Sequence, residues 1–203
     1  MTPGKFFVFE GIDGSGKTTQ SKALLGYLSA KGFETRWFRE PGDSAAGRRI
    51  RELASNNEPL SAEDELALFI TDRKENIKTN LKPNIEAGRM VILDRYYFST
   101  VCYQAVRGMD PERILADHQA FAPRPDLAVY IDVEVKTALE RINKSRSERA
   151  IRFENEEFLT TVRQNYLDLC LKGHLVKVDG NRSEEAVWQD IRSLCDTILM
   201  DHR

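Results

Sequence analysis

Short apolar runs alternating with longer helical patterns predict a three-layer α/β protein. The expected form is a five-stranded parallel sheet flanked by helices on both faces. Two stretches carry the prediction. Met90-Val91-Ile92-Leu93 is continuously apolar, as expected of a strand covered on both sides. Phe6-Phe7-Val8-Phe9 leads through a glycine-rich turn into a helical pattern. A length of 203 residues suits one domain spanning 1–203 with a sizeable core.

Taken in order, the first strand is Lys5–Glu10, and the helix from Lys17 to about Ala30 follows it. Ala23, Leu24, Leu25 and Leu28 recur there at helical spacing, and Lys31-Gly32 supplies a stop. Glu34–Arg39 is the second strand. Ser61-Ala62-Glu63-Asp64 opens a helix that runs to about Thr79, and Arg89–Asp94 is the third strand. Helices are predicted over Ser99–Arg107 and Pro111–Phe121, then a strand over Leu127–Val133 and a helix over Val135–Lys144. Asn155–Leu171 and Ser183–Asp201 are helical patterns on either side of a last strand, Leu175–Val178. The charge-rich stretch Lys144–Glu154 interrupts the alternation and reads as a short mobile lid over about 143–153.

With 31% charged and 41% hydrophobic residues the chain reads as an ordinary soluble globular protein. A net charge of −2 gives no case for a nucleic-acid surface. Cys102, Cys170 and Cys195 are odd in number and far apart, and His118, His174 and His202 are scattered. Reduced thiols are expected, and no zinc site. With no signal-like segment and no apolar run long enough for a membrane, a cytoplasmic location is expected.

The turn after the first strand reads Gly11-Ile12-Asp13-Gly14-Ser15-Gly16-Lys17-Thr18, followed by Thr19. It fits G-x-x-x-x-G-K-S/T in its proper strand–turn–helix setting. Glycines let backbone amides close around phosphate oxygens, and the helix N-terminus adds partial positive charge. Lys17 is suited to the outer phosphates, and Thr18 to a magnesium ion bridging two of them. This segment predicts binding of a nucleoside triphosphate.

Further candidates sit where strands end, at the ligand-binding rim of an open α/β sheet. The third strand ends in Asp94-Arg95-Tyr96 and the second in Arg39-Glu40-Pro41-Gly42. Asp94 can orient magnesium-bound water or pair with Lys17, and Arg39 and Arg95 can hold a phosphate bidentately. Two arginines facing one phosphate loop point to a second anionic substrate.

Together these pieces resemble the thymidylate kinase family. The matching segments run from Phe9 to Gln20, then Arg39-Glu40-Pro41-Gly42, Phe69 with Asp72-Arg73, and Asp94-Arg95-Tyr96. Ser99 with Tyr103-Gln104, Pro125-Asp126-Leu127 and Arg152-Phe153-Glu154 follow in family order. The resemblance implies a P-loop kinase fold, ATP and dTMP as substrates, magnesium as cofactor and a homodimer. It implies that Phe69 stacks on thymine and Arg73 meets a base carbonyl. Ser99, Thr100 and Gln104 would lie along the base edge, with Tyr103 crowding the sugar 2′ position. Taken alone, Phe69 within Leu66–Ile70 reads as core packing and Tyr103 as a core tyrosine. Asp13, an acidic residue inside the phosphate loop, would contact the acceptor sugar 3′-hydroxyl. Arg39 and Arg95 would hold the acceptor phosphate, and Arg146 or Arg149 of the lid would reach the transferred phosphoryl, with Arg152 structural or near the adenine.

The chain departs from the family at Asp43-Ser44, where a glycine and a threonine are usual, at Ala45–Arg48, at Cys102 and at Ala105. These departures bear on the acceptor. A kinase with a different acceptor is one alternative, although Arg39 and Arg95 favour a phosphorylated one. A non-catalytic nucleotide-binding relative is another; an Asn-Lys-x-Asp guanine-reading motif, expected of a GTP switch, is absent.

Overall fold

The computed structural model describes residues 4–56, 58–145 and 156–200. All five predicted strands form, as β1 (Phe6–Glu10), β2 (Thr35–Arg39), β3 (Met90–Asp94), β4 (Leu127–Asp132) and β5 (Val176–Asp179). They make one parallel sheet in the order β2-β3-β1-β4-β5. β1, β3 and β4 are buried along their whole length, which explains their uninterrupted apolar character.

The helices are α1 (Lys17–Ala30), α2 (Ala45–Asn56), α3 (Ala62–Asn76), α4 (Lys82–Glu86), α5 (Tyr97–Val106), α6 (Pro111–Gln119), α7 (Val135–Ser145), α8 (Glu156–Leu171) and α9 (Glu184–Met200). α1 and α9 pack against each other and the sheet, while α4 and α8 also contact the sheet and α8 packs on α5. From β1 the chain crosses to β2 on one side, and from β3 it crosses to β4 on the other. The carboxyl ends of β1 and β3 therefore open a crevice where the strand order reverses, the expected place for a ligand.

Three local features differ from the sequence expectations. α2 was not predicted, yet Ala46, Ile50 and Leu53 are buried at helical spacing, and the Ser44 hydroxyl accepts from the Gly47 amide (2.9 Å) as an N-cap. The helix predicted to end near Thr79 continues through a π-helical turn, Ile77–Leu81, into α4. Pro83 in the first turn of α4 explains the widening, because its ring would clash with a regular helix four residues back. α5 begins two residues before the predicted Ser99, for a reason that lies in β1.

Candidate active site

The phosphate loop follows β1 and holds its shape through glycines. Gly16 caps α1 at φ 94°, in the left-handed region, and a Cβ on Gly14 would run into the Ala138 carbonyl of α7. Ser15 is buried, and its hydroxyl has no hydrogen-bond partner among the described residues. Lys17 is also buried; its Nζ donates to Ile12 O (3.0 Å) and to Asp13 Oδ1 (3.3 Å). Burial, with Arg95 nearby, pushes the Lys17 amine below its usual range against the pull of Asp13 and Asp94.

At the end of β3, Thr18 Oγ1 donates to Asp94 Oδ2 at 2.5 Å. The second oxygen of Asp94 is buried without a partner among the described residues. One hydroxyl beside one carboxylate with a spare buried oxygen suits magnesium, which takes few protein ligands and shares substrate phosphates. No cluster of His, Cys, Asp and Glu able to hold a metal by itself occurs among the described residues.

Arg95 sits at φ 71°, a left-handed conformation costing a non-glycine residue about 1 kcal/mol. Its amide donates to Phe9 O (2.9 Å), tying the turn to β1. Its guanidinium donates to Asp13 Oδ1 (2.6 Å) and to Ser99 Oγ (3.0 Å) and lies 5.4 Å from the centre of the Tyr103 ring. Tyr103 in turn meets Phe158 edge-on at 6.0 Å. Lys17, Thr18, Asp13, Asp94 and Arg95 thus form one cluster.

A second cluster lies between α3 and α5. Arg73 and Glu40 are both buried and paired, with Nε–Oε2 at 2.9 Å and Nη2–Oε2 at 2.7 Å. Asn76 donates to the other Glu40 oxygen (3.0 Å), and Arg73 Nη2 also reaches Thr100 Oγ1 (3.1 Å). Burial raises the Glu40 carboxyl pKa while Arg73 and Asn76 draw it back. Arg73 Nη1 has no partner among the described residues. Gln104, one turn beyond Thr100, gives its amide nitrogen to Glu65, and its buried oxygen has no partner there either. The acceptor at Glu65 fixes which end of the amide is which. Phe69, one turn before Arg73, is half-buried.

Other predicted residues fall less simply. Arg39 pairs in register with Asp94 along the strand but is exposed, and its side chain makes no hydrogen bond or ion pair among the described residues. It lines a groove of about 540 Å³ with Phe38, Asp43, Ser44, Asn76 and Asn80. No described contact joins it to Arg95. The Ser99 hydroxyl is committed to Glu10 and Arg95. Arg146, Arg149 and Arg152 lie outside the described residues.

The departure at Asp43-Ser44 is accommodated locally. Asp43 is exposed and pairs with Arg51 at 3.1 Å, and Ser44 donates to Asp72 Oδ1 at 2.5 Å. Asp72 also accepts the Gly42 amide (2.8 Å), so α3 anchors the loop after β2. A Cβ on Gly47 would run into the Gly42 backbone carbonyl and come within 2.5 Å of Asp72 Oδ1, so this close approach requires glycine. Cys102 is buried in the core. The roles of Glu10, Glu40, Asp72 and Tyr166 were missed. Glu10 had a signal, an acidic residue closing an apolar strand; Tyr166 had none.

A phosphate loop facing a rim arginine, with buried polar atoms beside it that have no partner among the described residues, is the arrangement of a nucleotide phosphotransferase. The thymidylate kinase family model matches residues 9–191. A probable thymidylate kinase of Archaeoglobus fulgidus is 38% identical over 190 residues, 94% of each chain. A thymidylate kinase of Akkermansia muciniphila is 40% identical over 93% of this chain and 90% of its own. A probable thymidylate kinase of Pyrococcus horikoshii is 42% identical over 82% of this chain and 83% of its own. The chain belongs to the thymidylate kinase family. No helix among the described residues is long and apolar enough to cross a membrane.

Proposed function

We propose that this protein transfers the γ-phosphoryl group of ATP to dTMP, giving dTDP and ADP, as a cytoplasmic homodimer. Family membership supports the reaction, and one observation carries the choice of base. Among the described residues, Arg73 Nη1 is a buried donor without a partner and Gln104 Oε1 a buried acceptor without one. Leaving such atoms unpaired costs about 1–3 kcal/mol each, so a ligand that pairs both gains specificity. Thymine offers a carbonyl acceptor next to an N–H donor, whereas cytosine offers the reverse. Guanine shares thymine's pattern, and the reading excludes it by size, with Phe69 covering a single ring.

In this reading the phosphate loop from Gly11 to Thr19 cradles ATP, with Ser15 and Lys17 toward the phosphates. Thr18 and Asp94 would hold magnesium, which would supply neutralisation of the phosphate charge. Asp13 orients the acceptor sugar through its 3′-hydroxyl, and Arg95, with Arg39 at the rim, holds the acceptor phosphate. That phosphate is already an oxyanion near neutral pH, so no strong general base is needed. The catalytic work is positioning and electrostatic stabilisation.

The test is kcat/KM by coupled ADP release across dTMP, dUMP, UMP, dCMP and dGMP. dTMP is expected to lead dUMP by no more than about tenfold, the scale of one methyl contact, with dCMP at least about a hundredfold worse through mismatched hydrogen bonds. UMP should also fall well behind, because Tyr103 crowds the 2′-hydroxyl. If another monophosphate proves the best substrate, the thymidylate assignment falls and a nucleotide kinase remains.

The lid segment carries a separate prediction. A double Arg146→Ala, Arg149→Ala variant should lower kcat by about tenfold or more while dTMP affinity stays near wild type. Unchanged kcat would show both side chains to be solvated bystanders.

A further inference from the structure

Glu10 closes β1 with a carboxylate that is wholly buried, and its oxygens are fully used. Oε1 accepts the amides of Tyr96 (2.8 Å) and Ser99 (3.3 Å); Oε2 accepts the hydroxyls of Ser99 (2.5 Å) and Tyr166 (3.0 Å). Burying a carboxylate costs several kcal/mol unless such partners repay it. The four partners are informative. Two are amides at the N-terminus of α5, where Tyr96 provides no side-chain cap of its own. The third is the hydroxyl to which Arg95 donates at 3.0 Å.

We propose that Glu10 is a positioning residue that, with Tyr166, fixes the Ser99 hydroxyl and the turn carrying Arg95, and so aims the Arg95 guanidinium at the acceptor phosphate. The proposal rests on the reading of Arg95 as the acceptor-phosphate arginine.

The direction of the hydrogen bonds sets what Ser99 can offer Arg95. Ser99 has one hydroxyl proton, and the short bond to Glu10 consumes it. Its oxygen is then left to accept from Arg95 Nη1. The Tyr166 hydroxyl lies 2.8 Å from Ser99 Oγ as well as 3.0 Å from Glu10, so it closes the cluster from α8. Arg95 is held on its other side by Asp13 at 2.6 Å. Its guanidinium therefore lies between the two hydrogen-bonded anchors, Ser99 and Asp13. Glu10 is enclosed and its lone pairs are occupied, so it acts through Ser99 and the Arg95 turn without touching substrate. Both features of the Arg95 turn serve this end: the left-handed φ of 71° and the amide bond to Phe9 O keep it against β1, beside Glu10.

The experiment measures dTMP and ATP dissociation constants by calorimetry for wild type, Tyr166→Phe, Glu10→Gln, Arg95→Ala, and the doubles Tyr166→Phe/Arg95→Ala and Glu10→Gln/Arg95→Ala. Tyr166→Phe should weaken dTMP binding about threefold and Glu10→Gln about tenfold or more, on the scale of hydrogen bonds to charged groups, with ATP affinity within about twofold of wild type. In the Arg95→Ala background either change should add less than about twofold, because the group through which Glu10 acts is already gone. A merely structural Glu10 would instead weaken ATP in step, or multiply with Arg95→Ala, and either result overturns the proposal. Wild-type dTMP binding by Tyr166→Phe and Glu10→Gln beside a weakened Arg95→Ala overturns the positioning role and leaves the reading of Arg95 intact. Wild-type binding by Arg95→Ala removes that reading and the proposal with it. Should Glu10→Gln fail to fold, Tyr166→Phe, which deletes one hydroxyl, decides the question.

Discussion

Replacing Lys17 by alanine is expected to lower kcat/KM for dTMP phosphorylation by about a thousandfold, roughly 4 kcal/mol of transition-state stabilisation. The amine is buried and already bonded to Ile12 O and Asp13, so it needs little reorganisation to meet charge developing on the transferred phosphoryl. Preorganisation of this kind is what a low-dielectric site rewards. The fold should survive. Burial and Arg95 push the amine below its usual pKa range, so the protein gains no stability by holding this charge. Arg95→Ala should produce a loss of the same order, expressed also in dTMP affinity. Thermal melts together with steady-state kinetics check both variants. Near-normal turnover in either, with the melt unchanged, would remove these residues from the site.

The second large effect falls on stability. Glu40 and Arg73 form an ion pair in which both side chains are almost wholly buried, 3% and 2% exposed. Glu40→Ala leaves the Arg73 guanidinium without its counter-charge and Asn76 without an acceptor. A loss of about 3–5 kcal/mol is expected, as for other broken buried pairs. Released from Glu40, Arg73 would no longer present Nη1 in a fixed direction, so dTMP binding should weaken alongside. Arg39→Ala is the contrast: this arginine is exposed, and its loss should leave stability within about 0.5 kcal/mol of wild type. Urea denaturation of the three proteins makes the comparison. Equal stabilities for Glu40→Ala and Arg39→Ala would contradict the account of the buried pair.

Much of this was legible in the chain because its chemistry is local. The phosphate loop announces itself through consecutive residues, and the strands on either side through unbroken apolar runs. The rim residues Asp94 and Arg95 followed from the rule that ligands meet strand ends. Long-range bonds were not legible. α5 starts at Tyr97, ahead of its apparent signal, because the capping carboxylate comes from Glu10, 86 residues from Tyr96. Tyr166 joins the same cluster from 156 residues away. α2 escaped for a different reason. Its cap, Ser44, and its buried Ala46, Ile50 and Leu53 carried an ordinary helix signal, hidden behind Gly47, which in an exposed helix would be unfavourable. Here Gly47 is required by the close approach of the Gly42 backbone carbonyl, with Asp72 beside it. Asp43, an unfavourable charge on sequence grounds, turns outward to Arg51, and only side-chain direction could reveal that.

The proposed reaction moves a phosphoryl group from ATP onto dTMP. The most direct measurement is chromatographic quantification of all four nucleotides after incubating the protein with ATP, magnesium and dTMP. dTDP and ADP are expected in equal amounts, with no ADP above background when dTMP is omitted. ADP formed without dTDP would mark an ATP hydrolase, and no turnover would mark a nucleotide-binding relative; either would rule out dTMP phosphorylation at this site.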